Sequence, residues 1–304
     1  MREQGLFLDS SRGRLFGVIC EGTQGARTAD TWVVFLNAAT VRRIGNHRLS
    51  ATWAREWAQA GLPSLRFDNF GVGDSDGPER EEGPPVTHYR VLYDPDRVTT
   101  ILEVLDWLVE HREARRFALV GLSSGGTLGF HAALANDRVA AVTLLNAPTL
   151  FWDDNAAPLE AWEDARSVIL DPRLWRERLL RRGVRSWATE AARGAALRLR
   201  GIDDSWQRQK ILESADRLRR SSILLVFRAE DAGLAYFERH LGPDYRSVLA
   251  DLGFAVEVIQ GPDHTFRPLW SHDLVHALLE RQLRGIGFLG DQVRTLHAVE
   301  GSEA

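Results

Sequence analysis

Residues 117 to 126 read Phe117-Ala118-Leu119-Val120-Gly121-Leu122-Ser123-Ser124-Gly125-Gly126. The apolar run predicts a buried strand, and the GxSxG pattern leads from it directly into an apolar stretch typical of a helix. A serine on so tight a strand-to-helix turn has an exposed hydroxyl, and Gly121 and Gly125 let the two backbone segments pass close together. This pattern, the nucleophile elbow, makes Ser123 the candidate nucleophile. The alternative is a glycine-rich turn that carries a serine by chance.

Strand and helix patterns alternate on both sides of the elbow. An antiparallel hairpin is predicted over 6–21, and further strands at 32–37, 63–67, 139–146, 223–227 and 255–259. Amphipathic or apolar helix patterns cover 49–60, 96–112, 126–135, 234–240 and 269–283. The alternation predicts an α/β fold with a mostly parallel central sheet that is covered by helices on both faces.

The alternation stops between 149 and 220, where helical spacing dominates and no short apolar strand run occurs. We therefore predict a helical cap at 149–220, inserted into a core formed by 1–148 and 221–290, with a polar tail at 291–304. The cap segment holds five of the ten tryptophans, Trp152 and Trp175 among them. Aromatic side chains above the strand ends would suit an acyl or aromatic substrate, although most are expected simply to pack on the core.

Composition excludes several other classes of protein. The net charge of −4 and a pI near 6.2 favour neither nucleic acid nor a membrane surface as a partner. No apolar run reaches the ~20 residues of a membrane span, and the first residues lack the apolar region of a signal peptide, so a cytoplasmic protein is expected. Cys20 is the single cysteine, which rules out an intramolecular disulfide and predicts a small buried side chain.

A serine hydroxyl is a weak nucleophile at neutral pH and needs a base within hydrogen-bond reach, which a third group orients. The predicted strand at 223–227 is followed by Arg228-Ala229-Glu230-Asp231. This loop lies at the carboxyl end of a strand, where parallel sheets place their functional groups. Asp231 is the candidate acid, with Glu230 as the alternative.

The candidate base follows the next predicted strand. The loop at 260–266 contains glycine, proline and His264 just before the last predicted helix. His264 lies downstream of Ser123 and Asp231, so the three follow the chain order serine, acid, histidine. His47, in the loop after the first buried strand, is the alternative base, and the remaining histidines are interpreted as surface or capping residues.

Acyl transfer places negative charge on the former carbonyl oxygen, and backbone N–H groups must point at it. We expect one of these donors to be the amide of Ser124 and the other to come from the loop Asn37-Ala38-Ala39-Thr40. Ala39 is the preferred donor and Ala38 the alternative. Asn37 and Ala38 are also candidate substrate-binding residues, together with Trp152 and Trp175.

Taken together, these residues resemble the α/β-hydrolase superfamily over nearly the whole chain. The stretch 67–77, with Gly71, Gly73 and Ser75, resembles the GxGxS strand-end loop of these enzymes, and its expected role is a turn beside the site. A narrower similarity to exosortase-system-associated and serine aminopeptidase-like hydrolases rests on two stretches, 36–48 and 65–68. Asn37 stands where many relatives have histidine, and Ala39 departs from the glycine of the exosortase-associated group.

The predicted activity is hydrolysis of an ester or thioester, or of an amide, through an acyl-enzyme intermediate. We rank esterase or thioesterase first and peptidase second. No metal or organic cofactor is required, because the triad supplies both nucleophile and base. The alternatives are acyl transfer to an alcohol or amine and noncatalytic ligand binding on the same fold.

The segment 172–200 is strongly basic, since it contains nine arginines and only two glutamates. A solvated helical face in an arginine-rich chain is the simplest explanation. The sharper hypothesis is an acidic or phosphorylated partner, such as a coenzyme A thioester or an acyl carrier protein.

Overall fold

A computed structural model describes residues 1–22, 30–77, 92–153, 155, 184–201 and 204–290. In this part of the chain, eight strands form one sheet in the order β1-β2-β4-β3-β5-β6-β7-β8. The β1–β2 and β2–β4 pairs are antiparallel, and the other five pairs are parallel. The strands are β1 Arg2–Ser10, β2 Gly13–Glu21, β3 Thr31–Leu36, β4 Ser64–Phe67, β5 Arg116–Leu122, β6 Val139–Leu145, β7 Ser222–Arg228 and β8 Phe254–Ile259.

Helices cover both faces of this sheet, as the alternating pattern predicted. On β5, Phe117 and Leu119 belong to the core on one face, and Ala118 and Val120 to the core on the other. Helices α2, α3, α5, α6 and α7 contribute to the first core, and α1 and α8 to the second. The helices are α1 Leu49–Gln59, α2 Pro95–Arg112, α3 Ser124–Ala135, α4 Val184–Leu199, α5 Trp206–Arg217, α6 Ala232–Leu241, α7 Tyr245–Asp251 and α8 Trp270–Gly285.

The predicted α/β architecture is confirmed, and the predicted elements match these bounds to within a few residues. Helix α7 was not predicted, because seven residues are too few for a helical period to stand out. Cys20 is a free, buried side chain, as expected. No described helix combines the length and the apolar character that crossing a membrane requires.

The segment between β6 and β7 contains helices α4 and α5. Ile211 and Ala215 of α5 are buried in the same core as α3, so this helix is packed as part of the layer that covers the sheet. The predicted cap at 149–220 stays a prediction, because 154, 156–183 and 202–203 lie outside the described residues. The predicted tail at 291–304 also lies outside them.

Candidate active site

Ser123 has the backbone conformation of a sharp strand-to-helix turn. Its φ of 54° and ψ of −125° are unusual for a residue with a side chain, and α3 begins at the next residue. The Ser123 amide donates a 2.7 Å hydrogen bond to the carbonyl oxygen of Leu145, at the end of the neighbouring strand β6. A conformation of this kind costs about 1–3 kcal/mol and persists only where the surroundings impose it. The elbow therefore holds the hydroxyl at the carboxyl edge of the sheet.

The glycines of the motif are required by contacts on both sides of the turn. A Cβ atom on Gly121 would lie 2.2 Å from the carbonyl carbon of Gly125. A Cβ atom on Gly125 would lie 2.6 Å from the carbonyl oxygen of Asn37, in the loop after β3. Both distances are far below van der Waals contact, so any side chain at either position would separate the segments.

Asp231 and His264 are joined directly, because Oδ2 of Asp231 lies 2.9 Å from Nδ1 of His264. Asp231 is 3% exposed and caps helix α6, where its Oδ1 accepts a 3.1 Å hydrogen bond from the amide of Gly233. A carboxylate can only accept, so this contact places the imidazole proton on Nδ1 and leaves Nε2 available as a base. Glu230, the alternative acid, is exposed, and among the described residues the carboxylate bonded to His264 is that of Asp231.

Ser123, Asp231 and His264 follow strands β5, β7 and β8, which run parallel in one sheet. Their loops therefore emerge at the same edge. Among the described residues, no hydrogen bond joins the Ser123 hydroxyl to the imidazole of His264, whose side chain is 43% exposed. The contacts in catalytic sites often tighten only when substrate is bound.

The two predicted oxyanion donors are linked to each other. The Ala39 amide donates a 2.9 Å hydrogen bond to the side-chain hydroxyl of Ser124, and Ala39 has a positive φ of 52°. No described residue accepts a hydrogen bond from the amide of Ser124 or of Ala38. The N–H group of Ala39, which is predicted to face a substrate oxyanion, thus has the Ser124 hydroxyl as its acceptor.

Asn37 is buried, and its side chain is fully engaged by the protein. Its Nδ2 donates to the carbonyl oxygen of Val41 at 2.9 Å, and its Oδ1 accepts from the amide of Asn69 at 2.7 Å. These bonds hold the loop after β3 against the loop after β4. A second contact of Nδ2, 3.4 Å from Oδ1 of Asp68, strengthens this connection. The bonds favour a role of Asn37 in positioning the loop, and its role in substrate binding stays a prediction.

Sequence reasoning missed the charged centre of this region, Asp68, which is fully buried at the end of β4. Its carboxylate accepts from the Arg43 amide at 2.5 Å, from the Arg43 guanidinium, and from the Asp74 amide at 3.3 Å. A Cβ atom on Gly73 would lie 2.2 Å from Asp68 Oδ2, which explains this glycine of the GxGxS loop. The loop is a turn held by a buried carboxylate.

The side chain of Asp263 stabilises the loop that carries His264. Its Oδ1 accepts hydrogen bonds from the amides of Thr265 and Arg267, at 2.8 and 2.9 Å. The Arg267 backbone bond is the main reason why the pKa of Asp263 is lowered to about 2. His47, the alternative base, contacts this loop through Thr265, whose Oγ1 lies 3.1 Å from His47 Nε2.

The aromatic substrate-binding candidates are only partly described. Trp152 stacks on Tyr93 with ring centroids 4.8 Å apart and an angle of 10° between the planes. Trp175 and residues 172–183 of the arginine-rich segment lie outside the described residues. Among the described residues, no group of three or more histidine, cysteine, aspartate or glutamate side chains is placed to hold a metal ion.

Comparison with known proteins agrees with the α/β fold described above. A family model described as alpha/beta hydrolase fold matches residues 33–183. No curated protein is detectably similar to the chain in sequence.

Similar solved structures include a dienelactone hydrolase from Anabaena variabilis (13% identity, TM-score 0.57, covering 93% of this chain and 97% of that one). An esterase from Pyrococcus furiosus is 14% identical with a TM-score of 0.55, covering 92% and 91%. A proline iminopeptidase from Mycobacterium smegmatis is 14% identical with a TM-score of 0.53, covering 93% and 99%. At such identities the likeness concerns the fold.

Proposed function

The chain belongs to the α/β-hydrolase superfamily, and on that premise we propose that it is a serine hydrolase that cleaves an ester or thioester bond through an acyl-enzyme. The observation that carries the proposal is the 2.9 Å hydrogen bond between buried Asp231 and His264, at the same sheet edge as the elbow serine. Binding alone requires neither a strained serine nor an oriented imidazole. This favours catalysis over a noncatalytic ligand-binding protein.

In the first half-reaction, Ser123 Oγ forms a bond to the substrate carbonyl carbon while His264 Nε2 takes the hydroxyl proton. The carbonyl π electrons move onto the oxygen and give a tetrahedral oxyanion. When this species collapses, the bond to the leaving alcohol or thiol breaks, and the leaving group takes the proton from Nε2. Asp231 keeps the imidazole in the required tautomer and stabilises its protonated form.

In the second half-reaction, water attacks the acyl carbon and His264 takes its proton. Ser123 Oγ then leaves with that proton, and the carboxylic acid is released. The oxyanion of both intermediates is held by the amides of Ser124 and Ala39. For this, Ala39 must exchange its present acceptor, the Ser124 hydroxyl, for the substrate oxygen.

We rank an ester or thioester above an amide as substrate, with peptidase activity second and acyl transfer to an alcohol or amine as the further alternative. The solved structures with this fold include an esterase and a proline iminopeptidase, so the fold is compatible with both bond types. Adding alcohols and amines to a working reaction and analysing for the condensed product distinguishes transfer from hydrolysis.

The arginine-rich segment at 172–200 leads us to include acyl groups carried on coenzyme A or an acyl carrier protein. Added salt should then reduce kcat/KM steeply for the carrier-bound substrate and little for a small p-nitrophenyl ester. An equal response of the two substrates to salt would remove this partner from the proposal.

The decisive experiment is the mass of the intact protein after incubation with a fluorophosphonate. We expect one adduct on the wild type and none on Ser123→Ala. The same pair of proteins is then assayed with p-nitrophenyl esters of increasing chain length, where Ser123→Ala should lose about 10⁴- to 10⁶-fold in kcat. Absence of an adduct on the folded wild type would contradict the proposal.

A further inference from the structure

Asn146 is a buried amide at the end of β6, between the loops that carry the candidate triad. It is 0% exposed and has a positive φ of 47°. Asparagine tolerates this left-handed conformation better than most residues that have a side chain. A polar side chain that is fully buried must satisfy its donors and acceptors within the protein, so its partners show what it holds in place.

Both ends of the Asn146 side chain are bonded to the backbone of other strand-end loops. Nδ2 donates a 2.8 Å hydrogen bond to the carbonyl oxygen of His264, and Oδ1 accepts a 2.7 Å hydrogen bond from the amide of Arg228. The Asn146 amide itself donates to the carbonyl oxygen of Val226 at 2.8 Å. Asn146 therefore ties the end of β6 to the end of β7 and to the loop after β8.

Each of these contacts lies close to a member of the triad. Leu145, the residue before Asn146, accepts the hydrogen bond from the Ser123 amide at 2.7 Å. Arg228 accepts a 3.3 Å hydrogen bond from the amide of Asp231. Leu145, the last residue of β6, and Asn146, which follows it, thus connect the backbone at Ser123 to the loop of Asp231 and to the loop of His264.

We propose that Asn146 is a positioning residue, which fixes His264 relative to both Asp231 and Ser123. The inference rests on the proposed function, because it assigns Asn146 a part in that reaction. Only an amide of this length supplies one donor and one acceptor in the required places. Aspartate has the same shape but cannot donate to the His264 carbonyl oxygen, and its charge would repel that oxygen.

The competing explanation is that Asn146 contributes to stability alone. The matched control is Thr143 on the same strand, which is 2% exposed and donates a 2.6 Å hydrogen bond to Oε1 of Gln282, in helix α8. Thr143→Val keeps the shape and removes a buried hydrogen bond that has no direct link to the triad. Its effect on folding should resemble that of an Asn146 variant, whereas its effect on the site should not.

The test compares Asn146→Asp, Asn146→Gly and Thr143→Val with the wild type. Glycine removes the side chain and tolerates the positive φ, so Asn146→Gly remains informative if the aspartate variant does not fold. In folded protein, we expect each Asn146 variant to lose about 10- to 100-fold in fluorophosphonate labelling rate and in kcat, with KM changed less than about threefold. Thr143→Val should stay within about threefold of the wild type in all three quantities. Wild-type labelling and kcat in folded Asn146→Gly would overturn the inference.

A second readout separates this inference from the proposed function. The proton on His264 Nδ1, held by Asp231, should give a protected NMR signal that is absent from His264→Ala. We expect the signal to be lost or broadened in both Asn146 variants and kept in Thr143→Val. If the wild type takes no fluorophosphonate, the proposed function fails, while an intact Nδ1 signal in folded Asn146→Gly would overturn the positioning role.

Discussion

The amide of Ala39 donates a hydrogen bond to the hydroxyl of Ser124 across 2.9 Å, and these residues stand 85 positions apart in the chain. This bond gives Ser124 two roles. Its amide, at the start of α3, is a proposed oxyanion donor, and its side chain holds the loop that supplies the other donor. The hydroxyl accepts the hydrogen bond that, in the proposed mechanism, the Ala39 amide would donate to the oxyanion.

Ser124→Ala removes the hydroxyl that accepts the hydrogen bond of the Ala39 amide. We expect a loss of about 1 kcal/mol in the free energy of unfolding, because the Ala39 donor loses its partner. Since the amide no longer has to exchange one acceptor for another, kcat/KM for a p-nitrophenyl ester should be unchanged or higher. Urea unfolding and steady-state kinetics check the two effects. A tenfold fall in kcat would contradict this and mean that the bond is needed to keep the Ala39 amide in place during the reaction.

Gly125→Ala tests the close approach of the elbow to the loop after β3. The added Cβ atom would lie 2.6 Å from the carbonyl oxygen of Asn37, so the two segments must separate. We expect the free energy of unfolding to fall by about 1–3 kcal/mol, as for other overpacked positions, and labelling of Ser123 to be nearly lost.

The matched control for that variant is Gly285→Ala at the end of α8. An added Cβ atom there meets no atom within 4 Å, and alanine favours a helix. Its stability and labelling rate should equal or exceed those of the wild type. If the two glycine variants behaved alike, the contact with Asn37 would not be what requires glycine at position 125.

Asp231→Asn tests the choice between two adjacent carboxylates. An amide at this position can donate to the imidazole and favour the wrong tautomer, so kcat should fall by about 10³- to 10⁴-fold. Glu230→Gln, at an exposed position, should leave kcat within about twofold of the wild type. Kinetics with one ester substrate are sufficient, and a larger loss in Glu230→Gln would reverse the assignment.

The lowered pKa of His131 lets us predict how the free energy of unfolding depends on pH. Burial lowers the pKa of its imidazole below the ordinary value of 6.5, and its Nε2 lies 2.8 Å from the carbonyl oxygen of Leu150. Because the folded state binds this proton less readily than the unfolded state, the stability from neutral His131 is present above pH 6.5 and is lost as the pH falls below it.

Urea unfolding at pH 7.5 and pH 5.5, about one unit on either side of that value, measures this loss. We expect His131→Gln to show a smaller decrease than the wild type between the two conditions. His111→Gln, at an exposed histidine on α2, is the control and should keep the wild-type decrease. Equal decreases in the wild type and His131→Gln would show that other groups cause the acid sensitivity.

Much of the fold could be predicted because its causes are local. The alternating apolar patterns record the two covered faces of the sheet, and β5 shows this at Leu119 and Val120. The antiparallel hairpin β1–β2 could be predicted because its alternating pattern is also local. Short α7 was missed, because seven residues are too few for a helical period to stand out. The cap at 149–220 stays a prediction, because a helical pattern does not say against which layer a helix packs.

The sequence by itself determined the nucleophile elbow, since the steric demands at Gly121, Ser123 and Gly125 fall within five consecutive residues. It also narrowed the candidate acid to two neighbouring residues, Asp231 and Glu230, and gave His264 as the candidate base with His47 as the alternative. Tertiary structure decided that Asp231, and not Glu230, is buried against His264.

The tertiary structure also determined the hydrogen-bond partners of the Asn37 and Asn146 side chains. Those decisions depend on hydrogen bonds between strand-end loops that are distant in the chain. No pattern of neighbouring residues records such bonds, because only the parallel sheet brings the loops to one edge.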